Sequence, residues 1–295
     1  MSRSLPVSLT ALLCLAVAPP LHAQDDLQSV QMPDIRGQLA AIPQAPVSKR
    51  YLLGNIIESI WAWGETTMHH GSNRYLLWNV IQCLNDQSPA LQASPTSPAR
   101  ACGTVVLDKT PDAVILGDDK MFACNANANA AASSGYAYVH AQAVPLAQMT
   151  GVEQEEGRPQ GIWDLAWRNA ALYIPGAGDI ILAANPRSHR TQDQFHVHIA
   201  RLKPGAKDEI LHPKRGSRRV PPAYIDHLSG SPDPVWAAAE RNAGELAAKL
   251  GTPPGLKSGA FGVAVVYDEG RGQYAVIAAE GSPEWDFDAR CPVSE

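Results

Sequence analysis

The sequence lacks a hydrophobic run long enough to cross a membrane as a helix. Its longest apolar stretch near the start, residues 9–18, has about ten residues, whereas a spanning helix needs roughly 20. Arg3 precedes this stretch, and two prolines break it before the small residue Ala23, which is the pattern of an export signal. We therefore expect residues 1–23 to be a signal peptide, or alternatively a retained N-terminal anchor. The expected location is the periplasm, with association at the inner membrane.

Cysteine is scarce, with five residues in the chain, and no pair has the C-x-x-C spacing of a metal site. Beyond Cys14 of the signal segment, the remaining cysteines are even in number, as expected for disulfides in an oxidising compartment. Cys83 and Cys102 flank the Ser/Pro-rich stretch "LNDQSPALQASPTSPARA" and are predicted to pair. Cys124 and Cys291 form the second predicted pair.

Positive charge is in the minority, with 24 Lys and Arg against 29 Asp and Glu, which argues against a general nucleic-acid binder. The balance reverses locally, because residues 187–219 hold nine basic and three acidic side chains. Such a reversal can concentrate a polyanionic ligand. A solvated basic loop is the alternative.

Strand and helix patterns are intermixed along the chain. Residues 24–50 are a loose lead-in, and residues 51–295 are predicted to form one domain that begins with helices at 51–63 and 74–84. The Ala/Asn-rich segment 125–135 reads as a loop insertion. Apolar spacing predicts a helix in "GIWDLAWRNAALYI" and another in "DPVWAAAERNAGELAAKL", between Asp233 and Gly251. Two terminal strands joined by "EGRG" predict a hairpin. The fold class is therefore α+β, with helices packed on an antiparallel sheet.

Two histidines alternate with apolar residues in "NPRSHRTQDQFHVHIARLKP". In a strand, His196 and His198 share one face, while Phe195, Val197 and Ile199 share the other. Buried structural histidines, metal ligands and catalytic groups are all compatible with this pattern. Asn185 and Gln192 lie just upstream with amides that can donate to phosphate oxygens.

The order Asn185, Gln192, "FHVHI" resembles the histidine-triad (HIT) superfamily of nucleotide hydrolases and transferases. The longer segment is similar to bacterial CDP-diacylglycerol pyrophosphatases, and the likeness extends patchily to "CGTVVLDK", "IWDLAWRNA" and the terminal strands. The resemblance implies a HIT-like sheet with an added N-terminal helical region. It also implies that the middle histidine of the triad attacks phosphorus, giving a nucleotidyl-imidazole intermediate that water hydrolyses.

Two alignments of the triad are possible. The preferred one makes His198 the nucleophile and His196 the first histidine, with Ala200 in the third place. The other shifts by two, so that Gln194 takes the first place and His196 becomes the nucleophile. In "HAQAVP", His140 resembles a further HIT histidine that supports or orients the site.

The implied activity is hydrolysis of CDP-diacylglycerol to CMP and phosphatidate, a step of phospholipid metabolism. Asn185, Gln192, Arg190 and Arg187 are expected to contact phosphoryl oxygens. No metal or other cofactor is expected, and no obligate protein partner. The diacyl group implies contact with a membrane surface, for which Trp61, Trp63 and Trp78 are candidates; packing of their helices in an ordinary hydrophobic core is the alternative. A HIT-type hydrolase of soluble nucleotides and a non-catalytic lipid- or metal-binding module are the alternatives.

Overall fold

A computed structural model describes residues 76–87, 93, 99–102, 104–117, 140–174, 176–190, 192, 194–215 and 217–287. Several predicted features lie outside these residues: the signal segment 1–23, the lead-in 24–50, the helix at 51–63 with Trp61 and Trp63, the insertion 125–135, Cys124, Cys291 and the side chain of Trp78. Among the described helices, none combines the length and the apolar character needed to cross a bilayer.

Nine strands of the described chain form one sheet in the order β1-β2-β3-β4-β6-β5-β8-β9-β7, and every neighbouring pair is antiparallel. The strands are β1 (Ala99–Ala101), β2 (Thr104–Lys109), β3 (Ala113–Gly117), β4 (His140–Pro145), β5 (Ile180–Ala184), β6 (Val197–Arg201), β7 (Ala223–Ile225), β8 (Phe261–Asp268) and β9 (Gln273–Glu280). The predicted terminal hairpin is confirmed as β8–β9, which turns through residues 269–272.

Five helices accompany the sheet in the described ranges: α1 (Leu76–Gln87), α2 (Ile162–Tyr173), α3 (Ala206–Leu211), α4 (Pro234–Leu250) and α5 (Pro283–Phe287). Short 3₁₀ turns occur at Ala177–Asp179 and Leu256–Ser258. The predicted α+β class with an antiparallel sheet is confirmed. The helix predicted between Asp233 and Gly251 is confirmed as α4, and Asp233 caps its start, because Asp233 Oδ1 accepts from the backbone N–H of Val235 at 2.9 Å. Gly251, with a φ of 67°, ends this helix in the left-handed conformation that glycine adopts without strain.

One face of the sheet carries the main hydrophobic core, against which α2 and α4 pack. The predicted helical spacing of α2 is the reason that Trp163, Ala166 and Ala170 are buried against it. Phe195, Val197 and Ile199 contribute to this core from the segment that enters and forms β6. The predicted alternation of the histidine strand is therefore confirmed, since its apolar side chains face the main core.

The opposite face holds two smaller apolar clusters. The α1 cluster packs α1 against β2–β4 and includes Ile81, Leu84 and Val144. The predicted disulfide between Cys83 and Cys102, residues with a Cα–Cα distance of 5.9 Å, joins α1 to the end of β1 and is confirmed. The α5 cluster lies over β5, β6, β8 and β9 and contains Ala200, Ile277 and the fully buried Phe287 of α5.

A polar strip separates these two clusters on the same face. His140 and Gln142 share a face of β4 with Val144 of the α1 cluster, because side chains two apart in a strand point the same way. On β6, His198 likewise shares a face with Ala200 of the α5 cluster. The strands pair Gln142 with His198 and His140 with Ala200. On this face of the sheet, the histidines therefore lie in a gap between the two apolar clusters.

Candidate active site

The three predicted catalytic histidines come together on this strip. His140 and His198 occupy diagonal positions on β4 and β6, and their ring centroids lie 5.5 Å apart. His196 precedes β6, with its ring centroid 4.6 Å from that of His198 in an edge-to-face arrangement. All three are buried, with at most 8% of each residue exposed. The structure therefore gathers imidazoles that are far apart in sequence into one group.

The ring of His196 is held by a single backbone contact on one side. Its Nδ1 lies 2.7 Å from the carbonyl oxygen of Gln194. A carbonyl oxygen can only accept, so Nδ1 carries the proton and Nε2 keeps its lone pair. Burial lowers the pKa of His196 below its usual 6.5; the Gln194 carbonyl and Glu284 oppose this effect, whereas Arg190 and His140 reinforce it. The result is a neutral imidazole with a fixed tautomer, which is the form that can act as a nucleophile.

Gln194 fixes the backbone that holds His196. Its Nε2 donates to the carbonyl oxygens of Pro145 (3.0 Å) and Ala147 (2.9 Å), and its Oε1 accepts from the N–H of Met149 at 3.4 Å. The side chain is almost fully buried. Gln194 thus ties the segment entering β6 to the end of β4, and this determines where its own carbonyl meets His196.

Glu284 of α5 also lies in this group, although no sequence pattern predicts it as a site residue. Its Oε1 lies 3.2 Å from His140 Nε2, and its Oε2 lies 3.1 Å from His198 Nε2. The sequence offers only a weak local signal, a Ser-Pro-Glu helix start after the last strand. Nothing in that signal indicates contact with a strand so far away along the chain.

The carboxylate of Glu284 is ionised in spite of its burial. Burial by itself raises the pKa, but the charge of His198 and the hydrogen bonds from His140 and Asn185 outweigh it and lower the pKa of Glu284 to about 2. A carboxylate accepts hydrogen bonds, so both Nε2 atoms that face it carry protons. Among the described residues, the site therefore contains one fixed negative charge, which lies between two imidazoles.

Asn185, a predicted phosphate-binding residue, also lies in this group. Its Nδ2 donates to Glu284 Oε2 at 2.7 Å and lies 3.4 Å from His198 Nε2. Its Oδ1 accepts from the hydroxyl of Ser282 at 2.8 Å, which fixes the orientation of the amide. The loop after β5 thus places an amide donor beside the histidines.

The other three predicted phosphate-binding residues have different surroundings. Gln192 Oε1 accepts from the backbone N–H of Leu77, so this side chain connects the loop to α1. Arg190 is paired with Glu153, whose two carboxylate oxygens each lie 2.7 Å from Arg190 Nη1. Arg187 is exposed and packs near Gly259. Their contact with a phosphate stays a prediction.

Side chains of metal-binding type meet at the same place. His140, His198 and Glu284 bring ligand atoms within 4.8 Å of one another. The hydrogen bonds described above already pair these atoms with one another, and we assign no ion to the group. The expectation of metal-free chemistry remains a prediction.

Comparison with known proteins adds a local similarity. A short segment resembles CDP-diacylglycerol pyrophosphatases. The protein of Mycobacterium leprae (strain TN) named probable CDP-diacylglycerol pyrophosphatase is 39% identical over 74 residues, 21% of this chain and 26% of that protein. The CDP-diacylglycerol pyrophosphatase of Mycobacterium bovis (strain BCG / Pasteur 1173P2) is 36% identical over 73 residues, 21% of this chain and 27% of that protein. The matched segment spans about a quarter of these relatives, and no family model matches the chain.

Proposed function

We propose that this chain is a phosphoanhydride hydrolase that cleaves CDP-diacylglycerol to CMP and phosphatidate through a nucleotidyl-histidine intermediate. The names of the similar mycobacterial proteins support the substrate. The buried group of histidines and an amide donor supports the chemistry, because these side chains can attack a phosphorus atom and stabilise the charge on its oxygens.

We further propose His196 as the nucleophile, which corresponds to the second of the two triad alignments. The observation that carries this choice is the 2.7 Å contact between His196 Nδ1 and the Gln194 carbonyl, which leaves Nε2 with a lone pair. His198 is a weaker candidate, because its Nε2 faces the ionised Glu284 and carries a proton there. In this alignment His198 takes the third place of the triad, and Gln194 replaces the first histidine.

The proposed reaction has two steps. His196 Nε2 bonds to the phosphorus of the cytidylyl group, and the bond from that phosphorus to the bridging oxygen breaks, so phosphatidate leaves with the electron pair. Water then attacks the same phosphorus, the phosphorus–nitrogen bond breaks, and CMP is released. Asn185 Nδ2 would donate to a non-bridging oxygen in both steps, where negative charge accumulates.

The test is to trap the intermediate. Wild-type protein mixed with CDP-diacylglycerol labelled in the cytidylyl phosphate and quenched within milliseconds should carry label on His196, stable to alkali and released by acid. His196→Ala should form no adduct and lose turnover by at least ~10³-fold, whereas the exposed His212→Ala serves as the matched control. Label on His198 instead would reject the assignment of the nucleophile.

Two further comparisons test the substrate and the metal. Micellar CDP-diacylglycerol should be hydrolysed faster than soluble dinucleoside polyphosphates, and the reverse order would favour the soluble-nucleotide alternative. EDTA should leave turnover intact. Absence of turnover in wild-type protein with every substrate would favour a non-catalytic binding module.

We also propose that the protein acts outside the cytoplasm, at a membrane surface. The Cys83–Cys102 disulfide supports an oxidising compartment, and a diacyl substrate is found in membranes. Fusion of residues 1–40 to alkaline phosphatase, which is active only after export, tests the location. An inactive fusion in an expressing bacterium would contradict it.

A further inference from the structure

A proton on the leaving oxygen assists its departure in the proposed reaction, and the nucleophile does not supply that proton. His196 enters the reaction neutral, with its one proton committed to the Gln194 carbonyl. The third triad place, His198, is therefore the group from which a proton could come. The question is what keeps a proton on a buried imidazole, since burial favours the neutral form.

Glu284 is placed where its negative charge can keep a proton on His198. Its carboxylate contacts the side chains of His198, His140 and Asn185, three of the groups that face the reacting centre. Among the residues that the structure describes, the charged or titratable groups in contact with His198 are Glu284 from α5, His140 from β4 and His196 from the entry to β6. Glu284 is the one negative charge among them in the described chain. Because a buried charge without a counter-charge is costly, this carboxylate favours a proton on the imidazole pair.

The helix that carries Glu284 is anchored at both ends. Phe287 is fully buried in the α5 cluster, beneath the guanidinium of Arg219, and its carbonyl accepts from the N–H of Lys203 at 2.9 Å. At the other end, Ser282 donates to Asn185. These contacts hold the carboxylate in a fixed place, which is typical of a group that orients its neighbours rather than of a lid.

We propose that Glu284 is a positioning residue that keeps a proton on His198 Nε2, so that His198 enters the reaction as an imidazolium and protonates the departing oxygen. This inference rests on the proposed function. In the first step the Nε2 proton, shared with Glu284 Oε2 before substrate binds, passes to the phosphatidate oxygen as its bond to phosphorus breaks. In the second step His198 takes a proton from the attacking water, which restores the imidazolium.

The test compares leaving groups in Glu284→Gln, a substitution that keeps the shape and removes the charge. Phenol is a poorer leaving group than 4-nitrophenol and depends more on protonation. The variant should lose roughly 10²–10³-fold in kcat on the phenyl ester of CMP but only about tenfold or less on the 4-nitrophenyl ester. Asp286→Asn, an exposed position on the same helix, is the matched control.

A pH profile gives a second readout. The alkaline fall of kcat/KM should begin at lower pH in Glu284→Gln than in the wild type, because His198 loses its proton more easily without the neighbouring charge. Equal losses on both esters with an unshifted profile would mean that Glu284 is only structural and would overturn the proposal. So would stoichiometric zinc that is bound by the wild type and absent from Glu284→Gln.

These outcomes are separable from failure of the proposed function. If the wild type forms an adduct on His196 but Glu284→Gln behaves like the Asp286→Asn control, the proton-holding role fails and the nucleotidyl-histidine reaction stands. If the wild type forms no adduct with any ester, both proposals fail. Adduct formation by Glu284→Gln on the 4-nitrophenyl ester also shows that the variant is folded.

Discussion

Gln194 shows how one buried polar side chain can determine the chemistry of its neighbour. Its carboxamide contacts two carbonyl oxygens and one N–H of residues 145–149, and its backbone carbonyl accepts a hydrogen bond from His196 Nδ1. In the sequence, this residue is notable only because the second triad alignment places it where the first histidine would be. Its contacts indicate that it holds the segment carrying His196, the proposed nucleophile, in place.

We predict that Gln194→Met, which preserves volume, unfolds at lower urea concentration than the wild type. The Pro145 and Ala147 carbonyls lose their donor, so the free energy of unfolding should fall by about 2–4 kcal/mol. Turnover by the folded fraction should also fall, because the His196 tautomer loses its fixed carbonyl. Exposed Gln160→Met is the control. An unchanged urea midpoint would show that these contacts do not stabilise the fold.

At the scale of elements, a strand glycine allows two site segments to approach each other. A Cβ atom on Gly262 of β8 would lie 2.7 Å from the Ala184 carbonyl oxygen, 2.8 Å from Pro283 Cδ and 2.9 Å from Pro186 Cδ. Real Cβ atoms do not approach other atoms so closely. The segments on either side carry Asn185 and Glu284. Because Gly262 has no side chain, these segments can approach until Asn185 Nδ2 lies 2.7 Å from Glu284 Oε2.

Substitution of Gly262 by alanine should therefore separate the loop after β5 from α5. We expect a loss of turnover of roughly 10²-fold, because a displacement of about 1 Å in a catalytic group has that cost. Gly244→Ala in α4 is the matched control: its Cβ would meet no atom within 4 Å, and alanine there should stabilise the protein by about 0.5–1 kcal/mol. Kinetics and urea unfolding of both variants test this, and normal turnover in Gly262→Ala would contradict it.

At the scale of the whole molecule, the site lowers the free energy of unfolding in acid. Glu284 has a pKa of about 2 in the folded protein against 4.5 ordinarily, so the unfolded chain takes up a proton on it as pH falls below 4.5 while the folded protein does not. His196 acts with the same sign from pH 6.5 downward, because burial lowers its pKa. Both groups therefore stabilise the unfolded state relative to the folded state as pH falls.

We predict that the free energy of unfolding is highest near neutral pH and decreases below pH 6.5. Between pH 4.5 and 2, Glu284 should account for a loss of about 3 kcal/mol. Urea unfolding across this range should show a shallower decrease in Glu284→Gln than in the wild type. Parallel curves for the two proteins would mean that the ionised carboxylate does not contribute to stability.

The sequence by itself determined the local features of this protein. Apolar spacing predicts α2, alternation predicts which side of β6 the histidines occupy, and Asp233 and Gly251 mark the ends of α4. These predictions succeed because periodicity and capping depend on residues within a few positions of one another. The Cys83–Cys102 pair is similarly close, since the two cysteines flank one loop.

Only the tertiary structure decided which side chains meet. The contact of Glu284 with His198 depends on the order of the strands, on the burial of Phe287 and on the missing side chain of Gly262. The pairing of Arg190 with Glu153 and of Gln192 with Leu77 also joins distant segments. Hydrogen bonds and ion pairs are short-ranged, so residue types and spacing cannot specify them until packing has brought the partners within about 3 Å.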